Sequence, residues 1–132
     1  MGIVDRVGED YSIVRVYDEY SAGLQGLEGF SHLIILYWFH LRDNEADRST
    51  IKVVPRRHPG APEVGVFASR SPSRPNPIGL CVVKLLKLKG STLAVKGLDA
   101  LLGSPIIDIK PYNPKTDAYP DARIPEWLNG KL

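Results

Sequence analysis

The chain has 132 residues, 43% of them hydrophobic, and a net charge of +2. That length suits one domain spanning 1–132, with enough apolar residues for a core, which excludes a disordered tail. The near-neutral balance excludes a surface that is basic all round, so any RNA contact is expected as a local patch. The single cysteine, Cys81 in LCVV, excludes an internal disulfide and a cysteine-based zinc site. No metal site is expected, and Cys81 reads as a small buried residue.

In chain order, GIVDRV (Gly2–Val7) is a first strand and YSIVRVY (Tyr11–Tyr17), rich in β-branched and aromatic residues, a second. SAGLQGLEGF (Ser21–Phe30) holds three glycines and suits one or two helical turns. SHLIILYWFHL (Ser31–Leu41) is apolar on both faces and is expected as a central strand buried on both sides. Its core, LIILYWF, is seven residues long, far below a membrane span. The N-terminus, MGIVDRVGED, has no signal-peptide core, and a soluble cytoplasmic protein is expected. Arg42–Thr50 is polar and expected as loop, Ile51–Val54 as a short strand, and PRRHPGAPE as loop. GVFAS (Gly65–Ser69) is expected as a strand. Leu80–Gly90 alternates as a strand, with a tight hairpin at Lys89-Gly90-Ser91 into TLAVKGLDA. Pro105–Ile109 is the final strand. Many short strands with almost no helix predict an all-β barrel or sandwich.

The segment GVFASRSPSRPNPIGL (Gly65–Leu80) stands apart. Pro72, Pro75 and Pro77 fix φ near −65° and push the residues before them out of the helical region. Pro77 cannot donate to a ladder, so the segment is no inner strand. A stiff, extended loop carrying Arg70 and Arg74 loses little entropy on binding, and its guanidinium forks suit carboxylates or phosphates. The alternative is a structural crossover with solvated arginines. Lys52, Arg56, Arg57 and His58 cluster around PRRHPG, either as a solvated loop or as a phosphate-contacting patch.

The same loop resembles the signature GVFATRSPFRPNPIG of the TsaA-like (TrmO) family of tRNA adenine-N6 methyltransferases. LQGLEGFSHLIILYWFH is similar to the family's segment ending in aromatic-Phe-His, LDALLGSPIIDIKPY to LDLLDGTPVLDIKPY, and ARIPEWL to its terminal Pro-Glu-Trp. The resemblance runs from about Leu24 to the C-terminus. It implies a small closed β-barrel with one or two short helices, working as a homodimer. The implied cofactor is S-adenosyl-L-methionine (SAM). The implied reaction methylates the exocyclic amine of threonylcarbamoyl-adenosine in the tRNA anticodon loop. The fold implied is not a Rossmann one. Independently, Gly23, Gly26 and Gly29 are spaced by three and form no GxGxxG.

Carried over by motif, the resemblance implies cofactor contacts from His40, Leu41, Arg70, the backbone of Leu80 and the run Leu98, Asp99, Ala100, Leu101, Leu102. Leu41 stands where the family has Gln, and Leu102 where it has a second acid. The family's N-terminal Pro-Arg-Gln loop has no counterpart, because GEDYSIVRV follows GIVDRV at once. Arg74, Asn76, Lys110, Tyr112, Arg56 and Arg57 are the candidates for substrate and RNA contact. The adenosine amine is a weak nucleophile and a proton acceptor would assist it, with Asp99 and Asp108 as candidates. Residue patterning alone leaves other readings for these positions. His40 suits a satisfied core histidine, Asp99 a turn residue before Gly103, and Asp108 with Lys110 a solvated strand face. Two other functional readings stay open: a SAM-dependent methyltransferase of another substrate, and a non-catalytic RNA- or nucleotide-binding barrel.

Overall fold

The computed structural model describes residues 1–129. Its strands are β1 (Gly2–Val7), β2 (Ser12–Val16), β3 (His32–Trp38), β4 (Lys52–Val53), β5 (Val64–Gly65), β6 (Ile78–Lys89), β7 (Thr92–Lys96) and β8 (Pro105–Pro111). Six of them close a barrel in the order β1-β2-β7-β6-β3-β8, every neighbour antiparallel. Closure needs curvature, and register shifts at Val4/Arg6, Leu36/Tyr37 and Leu85/Lys87 supply it. Strands β4 and β5 form a separate two-stranded ribbon.

Period-two alternation sends one set of side chains inward. Val4, Val14, Val16, Leu33, Ile35, Val83, Leu93, Val95 and Ile106 are all buried to 1% exposure or less. Leu24, from a 3-10 turn (Asp18–Leu24), and Ala100, from the segment after β7, join this core from outside the ladders.

Four expectations are corrected. β3 is central, paired with β6 and β8, but only Leu33, Ile35 and Tyr37 face the core; Ile34, Leu36 and Trp38 are half-exposed, because a closed barrel has one interior. Arg42–Thr50 is not all loop. A 3-10 turn (His40–Arg42) precedes a one-turn helix α1 (Glu45–Arg48), whose Asn44 side chain accepts the Asp47 N–H at 2.8 Å. GVFAS is not a strand throughout. The ladder ends at Gly65, and Val66–Ala68 tightens into a 3-10 turn with Val66 buried and Phe67 exposed. The last strand runs on to Pro111, two residues beyond its expected end. A second one-turn helix, α2 (Pro114–Asp117), follows it.

Candidate active site

One mouth of the barrel gathers the chemistry. Tyr37, at the inward end of β3, donates its hydroxyl to Asp99 Oδ1 at 2.7 Å. Burial, and then that carboxylate, push the phenol far above its ordinary range, so it stays a donor. Gly79 lies directly against Tyr37: a Cβ there would meet Tyr37 Cζ at 2.5 Å and Phe39 Cζ at 2.9 Å. Only glycine lets the strand after the proline loop pass this ring. Cys81, the next inward position of β6, places Sγ 3.1 Å from the Gly97 carbonyl. Burial raises its thiol; the Asp99 backbone N–H opposes the rise, and the Asp99 carboxylate adds to it. A neutral thiol is a poor nucleophile, so Cys81 lines the mouth rather than reacting.

Two arginines act on this cluster. The charge of Arg70 opposes the rise at Cys81, and that of Arg57 opposes the rise at Tyr37. Arg70 is exposed on the proline loop. His40 approaches from the turn after β3, its Nε2 4.0 Å from where a Gly103 Cβ would stand; Gly103 itself has φ +84°. The segment 98–102 crosses the mouth outside any ladder. Among the described residues, its N–H groups find no backbone acceptor. Their neighbours are anchored, Gly103 N–H to the Val4 carbonyl at 2.9 Å and Ser104 N–H to that of Leu101 at 3.1 Å. Positive charge, a polar acid–phenol pair and amides without a backbone acceptor thus converge on one opening.

The proline loop is held from outside by α1. Ser73 Oγ donates to Asp47 Oδ1 and accepts from Arg42 Nη1 at 3.0 Å, and Arg48 Nε donates to the Pro75 carbonyl at 2.9 Å. The Ser73 and Asn44 bonds hold the Asp47 carboxyl below its usual range. Arg42 belongs to the His40 turn, so the Arg42–Asp47–Ser73 network ties together the two walls that carry His40 and Arg70.

The expected residues divide by position. His40, Arg70, Asp99 and Ala100 lie at the mouth, with Leu41, Leu101 and Leu102 exposed on its rim. Leu80 points outward, paired with Leu36. Arg74 is spent inside its own loop, donating to the Ser69 and Ser71 carbonyls at 2.9 and 3.2 Å. Asn76 is exposed, its carbonyl accepting the Ile78 N–H. Arg56 and Arg57 are exposed, and the adjacent His58 packs edge-on against Trp127 of the PEWL segment, 5.7 Å between centroids. Asp108 has both oxygens engaged, by Ile109 N–H at 2.9 Å and Lys110 Nζ at 3.1 Å. Lys110 and Tyr112 sit at the far end of β3, against Ile34 and His32, away from Tyr37.

Sequence reasoning missed Tyr37, hidden inside an apolar strand, and the α1 buttress. The buttress had a signal in Asn44 three residues before Asp47, an N-cap spacing.

The sequence profile of the tRNA-methyltransferase O N-terminal domain matches residues 5–118. The chain belongs to this TrmO family. An S-adenosyl-L-methionine-binding protein of Archaeoglobus fulgidus is 49% identical over 85% of this chain and 76% of its own length. The tRNA (adenine(37)-N6)-methyltransferase of Escherichia coli is 40% identical over 92% of this chain and 52% of its own. A TrmO crystal structure superposes with TM-score 0.68 at 36% identity, covering 86% of this chain and 48% of that one. TrmO from Pseudomonas aeruginosa gives 0.70 at 29%, covering 92% and 58%. The chain thus spans about half the length of these TrmO structures.

Proposed function

We propose that the barrel mouth binds SAM and that the protein is a SAM-dependent methyltransferase acting on the exocyclic amine of an adenosine in tRNA. The finer reading is threonylcarbamoyl-adenosine beside the anticodon. The observation that carries it is the convergence of Arg70, the Tyr37–Asp99 pair and the unladdered 98–102 backbone at one opening of a TrmO-family barrel.

The donor set fits the cofactor. Arg70 suits a carboxylate, the amides of the 98–102 segment suit the edge of a purine, and half-buried His40 with exposed Leu41 beside it supplies a flank. SAM supplies a methyl on a sulfonium, so its leaving group departs neutral. The protein's task is then alignment of the two partners and removal of one proton. Tyr37 fills Oδ1 of Asp99 and fixes the carboxylate, which leaves Oδ2 to take the amine proton. Asp108, with both oxygens engaged and lining a separate cleft beside Met1 and Leu24, is the weaker of the two acids for that role.

Homodimerisation is part of the proposal. The outer wall carries Ile78, Leu80, Val82 and Ile107 at 40–45% exposure, an apolar patch at the mouth end of β6, short of Lys84, that a second copy would cover. Among the described residues no helix is long and apolar enough to cross a membrane. A cytoplasmic location goes with the tRNA substrate. A second reading, the same cofactor with another substrate, is favoured by the apolar rim: Leu41 is 65% and Leu102 62% exposed, where the family has polar side chains.

The test is labelled methyl transfer from SAM to tRNA with and without the threonylcarbamoyl group. Label confined to the carrying tRNA is expected. Label on neither, with SAM binding intact, supports the second reading against the first.

A further inference from the structure

Between Glu63 and Asp99 the chain has six cations and no acid, so the rest of the molecule is net negative. Arg70 and Arg74 belong to the proline loop. The other four, Lys84, Lys87, Lys89 and Lys96, all lie exposed on the β6–β7 hairpin. Lys84 is paired directly with Lys96 across the ladder, and on its other side with His32 of β3. Like charges placed opposite each other destabilise a sheet. Among the described residues none of the four lysines lies within ion-pair distance of a carboxylate, although Glu28 shares a surface cleft with Lys87.

Lysines also guard open strand edges. That accounts for Lys87 and Lys89, because β3 pairs with β6 only as far as Lys84. It does not account for the Lys84–Lys96 pair, which lies between two laddered strands. Its cost needs a partner that removes it, and a polyanion does so.

Resting on the tRNA reading above, we infer that the His32–Lys84–Lys96 row and the adjoining Lys87 and Lys89 form a phosphate-backbone docking surface for the RNA substrate, separate from the mouth. β6 runs from Ile78 at the mouth to Lys89, about 36 Å at strand rise. A substrate anchored along this ribbon while one base reaches the mouth must be a long polyanion, which a tRNA is and a free nucleotide is not. Such contacts position the substrate and carry no sequence information.

The test is binding of unfractionated tRNA across a salt series, for wild type and for the variant with all four lysines changed to Gln, with SAM titration of both. Each lost phosphate contact lowers the log–log salt slope by about 0.7–0.9, so a drop of about three is expected, with SAM affinity unchanged. Lys96→Glu, which pairs with Lys84, is expected to raise the Tm while weakening tRNA binding. If wild type binds tRNA and the fourfold variant keeps both slope and affinity, the ribbon assignment falls. The same holds if the variant merely aggregates at unchanged affinity, which makes the lysines edge protection. If wild type binds SAM but no tRNA, the tRNA reading itself falls, and this surface with it.

Discussion

The barrel wall and the proline loop solve the problem of order in different ways. The wall is held by continuous ladders and by side chains such as Leu33, Ile35 and Leu93 with no exposure at all. The loop has no ladder, and prolines stiffen it while side-chain bonds from α1 tie it down. The difference separates stability from function. Damage to the wall should unfold the protein, whereas damage to the loop and mouth should leave a folded barrel that works badly.

The largest effect should come from the wall. Ile35→Ala leaves a cavity in a site that cannot collapse, and should cost about 2–5 kcal/mol in denaturant unfolding. An Ile35→Ala protein of wild-type stability would break the contrast. At the mouth, Asp99→Asn should lower kcat by about 100-fold or more while the Tm moves little. An undiminished kcat would remove Asp99 from the role of base. Tyr37→Phe sharpens this, since it frees Asp99 Oδ1 and loses one hydrogen bond, about 1 kcal/mol of stability, with a kcat loss smaller than that of Asp99→Asn.

The smallest effect should come from the buttress. The folded state lowers the Asp47 carboxyl, so its contribution is complete above the ordinary carboxylate range. It is lost as pH falls through that lowered value. SAM affinity should therefore be flat from neutrality down to about pH 4 and weaken below it. In Asp47→Asn it should be a few-fold weaker at neutral pH, without that acid dependence. An acid dependence that survives in Asp47→Asn would assign it to another group.

Much of this was legible in the residues. β-branched alternation gave β2 and β6, the Lys89-Gly90-Ser91 turn marked the hairpin, and the proline spacing marked a stiff loop. Motif resemblance carried His40, Arg70 and Asp99 to a common place, and the fold brings them to one mouth. Other features depend on what local pattern does not contain. LIILYWF is apolar on both faces, so period alone could not say that Tyr37 points inward to an acid 62 residues away. Arg74 looked free because its acceptors are carbonyls of its own loop. Lys110 and Tyr112 shared a motif with Asp108, but strand register sets them at the far end of β3.

The central claim is that SAM is held where the His40 turn, the proline loop and the 98–102 segment meet. Backbone amide chemical shifts of the labelled protein, titrated with SAM, test it most directly. The account predicts saturable shifts concentrated at residues 40–41, 69–74 and 98–103, with the 84–96 hairpin still. Shifts centred on that hairpin, or no saturable shifts, would contradict it.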